Sequence, residues 1–251
     1  MKKTSRKNSY IMKTSLLFSL GLILLLSFSC EKKPVSVNTD PKPIAVTEKS
    51  MKVISAGNRF GFEIFQEILK DEDPDKNLMI SPLSIEMALS MTYNGAGGDT
   101  KKAFEDVLHT DELSSADINQ SMYDLREALT TVDPRITMEI ANSIWYRNTF
   151  HVEDAFLDIN RNYYDAEVKG LDFSNPASIN IINGWVDDKT HHKIPEIIDD
   201  IDPMTIMFLI NAVYFNGTWK YRFDKENTRP MEFYVTPDKT IQADMMYQKG
   251  D

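Results

Sequence analysis

Apolar residues recur at helical spacing over residues 54–70, where Phe60, Ile64, Phe65, Ile68 and Leu69 share one stripe, and the polar stretch 71–76, with Pro74, ends the run. The pattern predicts a helix and then a loop. Asn77-Leu78-Met79-Ile80 reads as a short strand-like run. Ser81-Pro82 follows as a helix start, with Ser at the N-cap and Pro at N1, where a missing N–H costs nothing. Ile85, Met87, Ala88, Leu89 and Met91 then cover nearly every side of the next helix, as expected of a buried one. Gly95-Ala96-Gly97-Gly98 stops it. A helix restarts over 101–108 with Ala103, Phe104, Val107 and Leu108 facing inward, and Ser114 and Asp117 stand at capping-box-like spacing at the head of another.

The period then changes. Residues 136–146 alternate through Ile136, Met138 and Ile140 and finish as Ile144-Trp145-Tyr146, which predicts a long strand. Ile179, Ile182, Trp185 and Val186 restore helical spacing up to about Lys193. Residues 205–215 (TIMFLINAVYF) are apolar almost throughout, as in a central strand covered on both faces. Beyond them, 231–235 and 241–247 flank Thr236-Pro237-Asp238-Lys239, a turn sequence, so a hairpin is expected. Helices first and strands later make an α+β layout.

Composition narrows the class. With 251 residues, 42% apolar, 26% charged, 10 glycines and 11 prolines, the chain is neither collagen-like nor wholly disordered, and it can bury a sizeable core. The net charge of −10 includes an acid-free basic start, Lys2, Lys3, Arg6, Lys7 and Lys13, so the remainder is more acidic still. That balance opposes nucleic acid as a partner. Residues 16–28 (LLFSLGLILLLSF) are too few to span a bilayer as a helix and read as the apolar part of a signal peptide, starting from either Met1 or Met12. Cys30 is the only cysteine, so no intrachain disulfide exists. Leu26-Ser27-Phe28-Ser29-Cys30 resembles a bacterial lipobox, which implies a lipid on Cys30; the plainer alternative is an ordinary secretory signal. Residues 31–50, with Pro34, Pro41 and Pro43, read as a tether, and folded structure is expected from near Met51.

Catalytic and metal signatures are weak. The glycine-rich 95–98 stretch follows a helix rather than a strand and lacks a Lys-Ser/Thr partner, so it is a helix stop and not a phosphate cradle. His191 and His192, adjacent on a predicted helix, point about 100° apart and cannot chelate one metal together. His109 and His151 have no evident nucleophile, and no G-x-S-x-G occurs. Asn216-Gly217-Thr218 matches a glycosylation acceptor and reads better as turn chemistry. More telling are Ser84, in the first turn of the buried helix, and Asn211, which interrupts the apolar strand. A buried amide left unpaired costs about 1–3 kcal/mol, so Asn211 should find a partner, and hydroxyls beneath the sheet are the candidates. Such a bond is either purely structural or a latch under a sheet that must open.

The words 77–85 (NLMISPLSI) and 94–100 (NGAGGDT) resemble the second helix of the serpin family and the turn after it. Ile182-Asn183-Gly184-Trp185-Val186, with Thr190, Lys193 and Ile194, resembles the helix across serpin sheet A. Residues 211–219 (NAVYFNGTW) resemble the third strand of that sheet with the breach tryptophan at its end, and Phe223, Thr228, Phe233, Met245 and Met246 continue the match.

This resemblance implies an α+β serpin-like fold, helices plus a large β-sheet A with parts of sheets B and C, truncated before the reactive-centre loop. The implied divisions are a lipoprotein signal peptide over 1–29, a flexible tether over 30–50 and the N-terminal portion of a serpin domain over 51–251. It further implies a protease inhibitor rather than an enzyme: a serine or cysteine protease cleaves the loop, which then inserts as a strand into sheet A and traps the enzyme. Ser81, Ser84 and Asn211 match shutter positions and Trp219 the breach, mechanical roles that need neither cofactor nor metal. Without the loop, this chain alone is expected to be inactive. Heparin-binding serpins use a basic fourth helix, whereas Asp111, Glu112, Asp117, Asp124 and Glu127 here face Arg126 alone, which argues against heparin. The implied location is extracytoplasmic, anchored through Cys30 or secreted. The alternatives are a non-inhibitory serpin-like binding or structural lipoprotein and, third, a hydrolase.

Overall fold

The computed structural model describes residues 40–73, 76–219 and 221–248. The signal segment, Cys30 and residues 31–39 of the expected tether lie outside them, and the last three tether positions, 48–50, already belong to the first helix. Residues 40–47 form no helix or strand, and the Lys42 N–H donates to the Val132 carbonyl at 2.6 Å. Helix α1 (Glu48–Asp71) begins where the Thr47 hydroxyl accepts the Ser50 N–H at 3.0 Å. Its buried positions are Ser50, Val53, Ala56, Gly57, Phe60 and Gly61, while Leu69 is exposed and Ile64, Phe65 and Ile68 are only half-buried. The packed stripe therefore lies toward the N-terminus of the one predicted. Small residues explain the shift, because a Cβ on Gly61 would stand 2.9 Å from Pro82.

Residues 77–80 form no strand, having no neighbour to pair with among the described residues. Helix α2 (Pro82–Tyr93) is buried as its sequence predicts, with Ser81 at its N-cap. In α3 (Gly98–Leu108), Leu108 is buried and Phe104 half-buried, but Ala103 and Val107 face solvent. At the head of α4 (Ser115–Thr131), the Ser114 hydroxyl accepts the Asp117 N–H at 3.2 Å and donates to its carboxylate at 2.8 Å. Strand β1 (Ile136–Arg147) runs the full predicted length.

Next come α5 (Asp154–Tyr164) and β2 (Ala166–Leu171), neither of them among the predicted elements. Both nevertheless carry a period: Phe156, Leu157, Asn160, Tyr163 and Tyr164 recur at helical spacing, and in β2 the exposed Glu167 and Lys169 alternate with Ala166 and Val168. Topology accounts for both: β2 pairs parallel to β1, from Asn142↔Ala166 to Arg147↔Leu171, and a parallel neighbour needs a crossover, which α5 supplies. Helix α6 (Ala177–Lys189) leads to β3 (Met207–Gly217), antiparallel to β1 from Ile136↔Gly217 to Tyr146↔Met207. The order is β2-β1-β3.

Period-2 alternation sorts the side chains into two cores. On one face Ile140 and Ile144 of β1, with Leu209 and Val213 of β3, pack against Val53, Met87, Met91, Ile118, Met122 and Tyr164 from the helices. On the other, Trp145, Ile210 and Ala212 meet Ile182, Trp185 and Val186 of α6, with the Trp145 and Trp185 rings edge-to-face at 6.1 Å. Both faces of β3 are covered as its sequence predicts. It is nevertheless an end strand among the described residues, with only β1 beside it. After a single 3-10 turn at Lys225–Asn227, β4 (Arg229–Thr236) and β5 (Lys239–Met245) form the expected hairpin, Thr236 pairing with Lys239 around Pro237-Asp238. No described helix is long and apolar enough to cross a membrane.

Candidate functional site

Asn211 has the partners its burial requires. The Ser84 hydroxyl donates to Asn211 Oδ1, and Asn211 Nδ2 donates to Asn142 Oδ1 at 2.7 Å. Asn142 and Asn211 are directly opposite in the β1–β3 register, so their side chains share the helix-facing side of the sheet. Asn142 is 2% exposed and spends its own N–H on the Tyr164 carbonyl at 2.7 Å. The chain of bonds goes further. The Tyr164 hydroxyl donates to Asn119 Oδ1 at 2.7 Å, Asn119 and Asn94 exchange amide hydrogen bonds at 2.9 and 3.0 Å, and Asn94 Nδ2 donates to the Ser90 carbonyl at 3.0 Å. The path leaves α2 at Ser84, crosses β3, β1, α5 and α4, and returns to α2 at Ser90. Burial pushes the Tyr164 phenol well above its ordinary range, so it remains a neutral donor here.

Of the predicted site residues, Ser84 and Asn211 are in direct contact. Ser81 is exposed and acts one turn earlier, its hydroxyl accepting the Ser84 N–H at 3.4 Å and so fixing the turn that aims Ser84. Trp219 lies beyond the far end of β3, 71% exposed, with its ring edge-to-face on Phe223 at 6.2 Å. It does not touch the latch. Asn142 is in phase with Ile140 and Ile144, so the alternation of β1 itself marks it as core-facing; followed only through its apolar positions, that phase passes over the amide between them.

On the opposite face, α6 lies over β1 and β3. His191 and His192 follow its end rather than belonging to it, and both are left-handed at φ 50° and 60°. The His191 ring lies 4.1 Å from that of Tyr214 on β3, and its Nε2 is 3.1 Å from Glu139 Oε2 on β1. His192 Nδ1 is 2.7 Å from Asp187 Oδ2, which raises its pKa. Asp187, Asp188 and His192 bring ligand atoms within 4.8 Å of one another, and the His192–Asp187 pair accounts for that closeness. All four histidines face a carboxylate, His109 pairing with Glu63 and His151 with Glu153.

A mixed sheet with helices on one face, a single helix on the other and a side-chain latch beneath its end strand defines a serpin-like α+β protein. Residues 55–251 match the family model "Serpin (serine protease inhibitor)". The chain belongs to the serpin family. It is 37% identical to human neuroserpin over 186 residues, which is 73% of this chain and 45% of neuroserpin. It is 31% identical over 251 residues to an uncharacterized serpin-like protein of Methanosarcina acetivorans, covering 94% of this chain and 58% of that one. Among solved structures, emu ovalbumin superposes with a TM-score of 0.74 at 28% identity, over 79% of this chain and 55% of that chain. The thermophilic serpin tengpin in its latent state gives 0.67 at 32% identity, over 79% and 52%. This chain thus spans about half the length of the relatives it matches. Family membership makes it one of a group of proteins that are in general protease inhibitors.

Proposed function

We propose that this protein is an inhibitory serpin that traps a serine or cysteine protease, and that the residues described here form the sheet, the latch and the helix over it. One observation carries the reading: the hydrogen-bonded path from Ser84 through Asn211 to Asn142 ties the β1–β3 pair to α2 at one polar point in an apolar interface. The many backbone bonds between β1 and β3 make them move as a unit, while a single hydroxyl–amide bond is cheap to break and remake as that unit slides over α2. The far edge of β3 is where an added strand would pair. Trp219 beyond its end is assigned to the breach, and Ser81, Ser84 and Asn211 to the shutter, with Asn142 as a fourth member.

The test is to mix the product of the whole reading frame with trypsin-like, chymotrypsin-like, elastase-like and papain-like proteases. Trapping appears as enzyme inhibition with a complex that survives boiling in detergent. Cleavage of the protein by every enzyme, with no such complex, would assign it to the non-inhibitory serpins. For location, we propose export and a lipid on Cys30, supported by the apolar segment that ends at the chain's only cysteine. Incorporation of labelled palmitate, lost in Cys30→Ser, is the expected result.

A further inference from the structure

Glu86 is a carboxylic acid in the interior. It is 5% exposed, its Oε1 accepts no hydrogen bond, and among the described residues it enters no ion pair. Its carboxyl lies on the backbone of α1, so close that a Cβ on Gly57 would stand 2.3 Å from Oε2. The elements packed on α2 bring it no cation. Helix α1 offers the Gly57 backbone, α5 the Tyr164 phenol, α4 the neutral amide of Asn119 and β3 that of Asn211. The Glu105 carboxylate of α3 is held at 3.0 Å by the Tyr93 hydroxyl at the other end of α2. A charge in that setting keeps its desolvation penalty in full, whereas a neutral carboxyl loses far less.

We propose that Glu86 is a proton-dependent positioning residue for the latch: while neutral it seats α2 against α1 with Ser84 in reach of Asn211, and its ionisation lifts α2 and breaks that bond. Only Ile85 separates Glu86 from Ser84, so a shift of α2 off Gly57 moves both. The inference deepens the shutter reading and rests on it. Burial raises the Glu86 pKa from 4.5 to about 7. Between those values the folded state binds a proton that the unfolded chain has released, so stability falls as pH rises through that window and levels off above it. The folded-to-unfolded ratio should change on the order of a hundred-fold across it from this residue alone.

The experiment compares the protein with Glu86→Gln, which keeps the shape and cannot ionise. Urea midpoints are measured from pH 5 to 8.5, and hydrogen exchange of peptides covering α2 and β3 is measured at pH 6 and pH 8 after correction for intrinsic rate. The wild type should lose stability toward pH 7 and expose both peptides at pH 8, and Glu86→Gln should do neither. Parallel pH profiles for the two proteins would overturn the proposal, as would a wild type whose stability falls while β3 exchange stays constant. Should Glu86→Gln not fold, carbon-13 labelling of glutamate side chains in the wild type decides: a carboxyl titrating near 7 supports the proposal, and a full set near 4.5 overturns it. A failure to trap any protease would bear on the functional reading and leave these titrations unchanged.

Discussion

Asn211 could be found in the sequence because a lone amide in an apolar run is conspicuous, and burial then forces it to have partners. Which partners it takes depends on register, and register is a property of two strands. Asn142 becomes a candidate only once Asn142↔Asn211 is known to be a facing pair. Glu86 was hidden for a different reason: a glutamate in the first turns of a helix ordinarily marks its wet face or complements its dipole. At this scale the shared bond makes a direct prediction. Asn211→Ala deprives Ser84 of its acceptor and Asn142 of its donor, and should cost about 1–3 kcal/mol in urea unfolding. Asn142→Ala should cost a similar amount, and the double variant less than the sum of the two. Strict additivity would mean that the residues do not act as one chain of bonds.

Among the elements, those with strong local signals lie close to where the sequence puts them: Ser81-Pro82 opens α2, Ser114 caps α4 and Pro237-Asp238 turns the hairpin. The segment α5–β2 was missed although Phe156, Leu157, Tyr163 and Tyr164 recur at helical spacing and Glu167 and Lys169 alternate with apolar neighbours; what leaves no short-range pattern is its parallel pairing with β1. The helical reading of 54–70 failed in detail because it counted large apolar groups, while the contact with α2 is made through glycine and alanine. Ser81→Ala should lower stability by about 0.5–1 kcal/mol, the low end for a cap because its bond is long at 3.4 Å. Gly57→Ala should be far more damaging, with the methyl directed at the Glu86 carboxyl; adding Glu86→Ala should recover much of the loss. A double variant no more stable than Gly57→Ala would show that the clash lies elsewhere. On the other face, Trp185→Ala should cost about 3–5 kcal/mol and loosen α6 from the sheet, seen as faster exchange of β1 and β3 amides.

For the whole molecule, the α+β class was readable from the order of helical and alternating segments, and the two-faced core from the run of β3, apolar on both sides of Asn211. That β3 stands at the end of the β2-β1-β3 order was not, since an apolar strand reports covered faces and says nothing of its edges. The 11-residue outer edge of β3 has no neighbour among the described residues, which leaves its backbone groups able to pair with a further strand. The close fit of α1 on α2 also bears on how the sequence can drift. Positions 57 and 86 cannot vary independently, and a lineage can acquire a methyl at the first only after the side chain at the second has shortened. The reverse order passes through a destabilised protein, so in any set of descendants the bulky pair should be the rare combination.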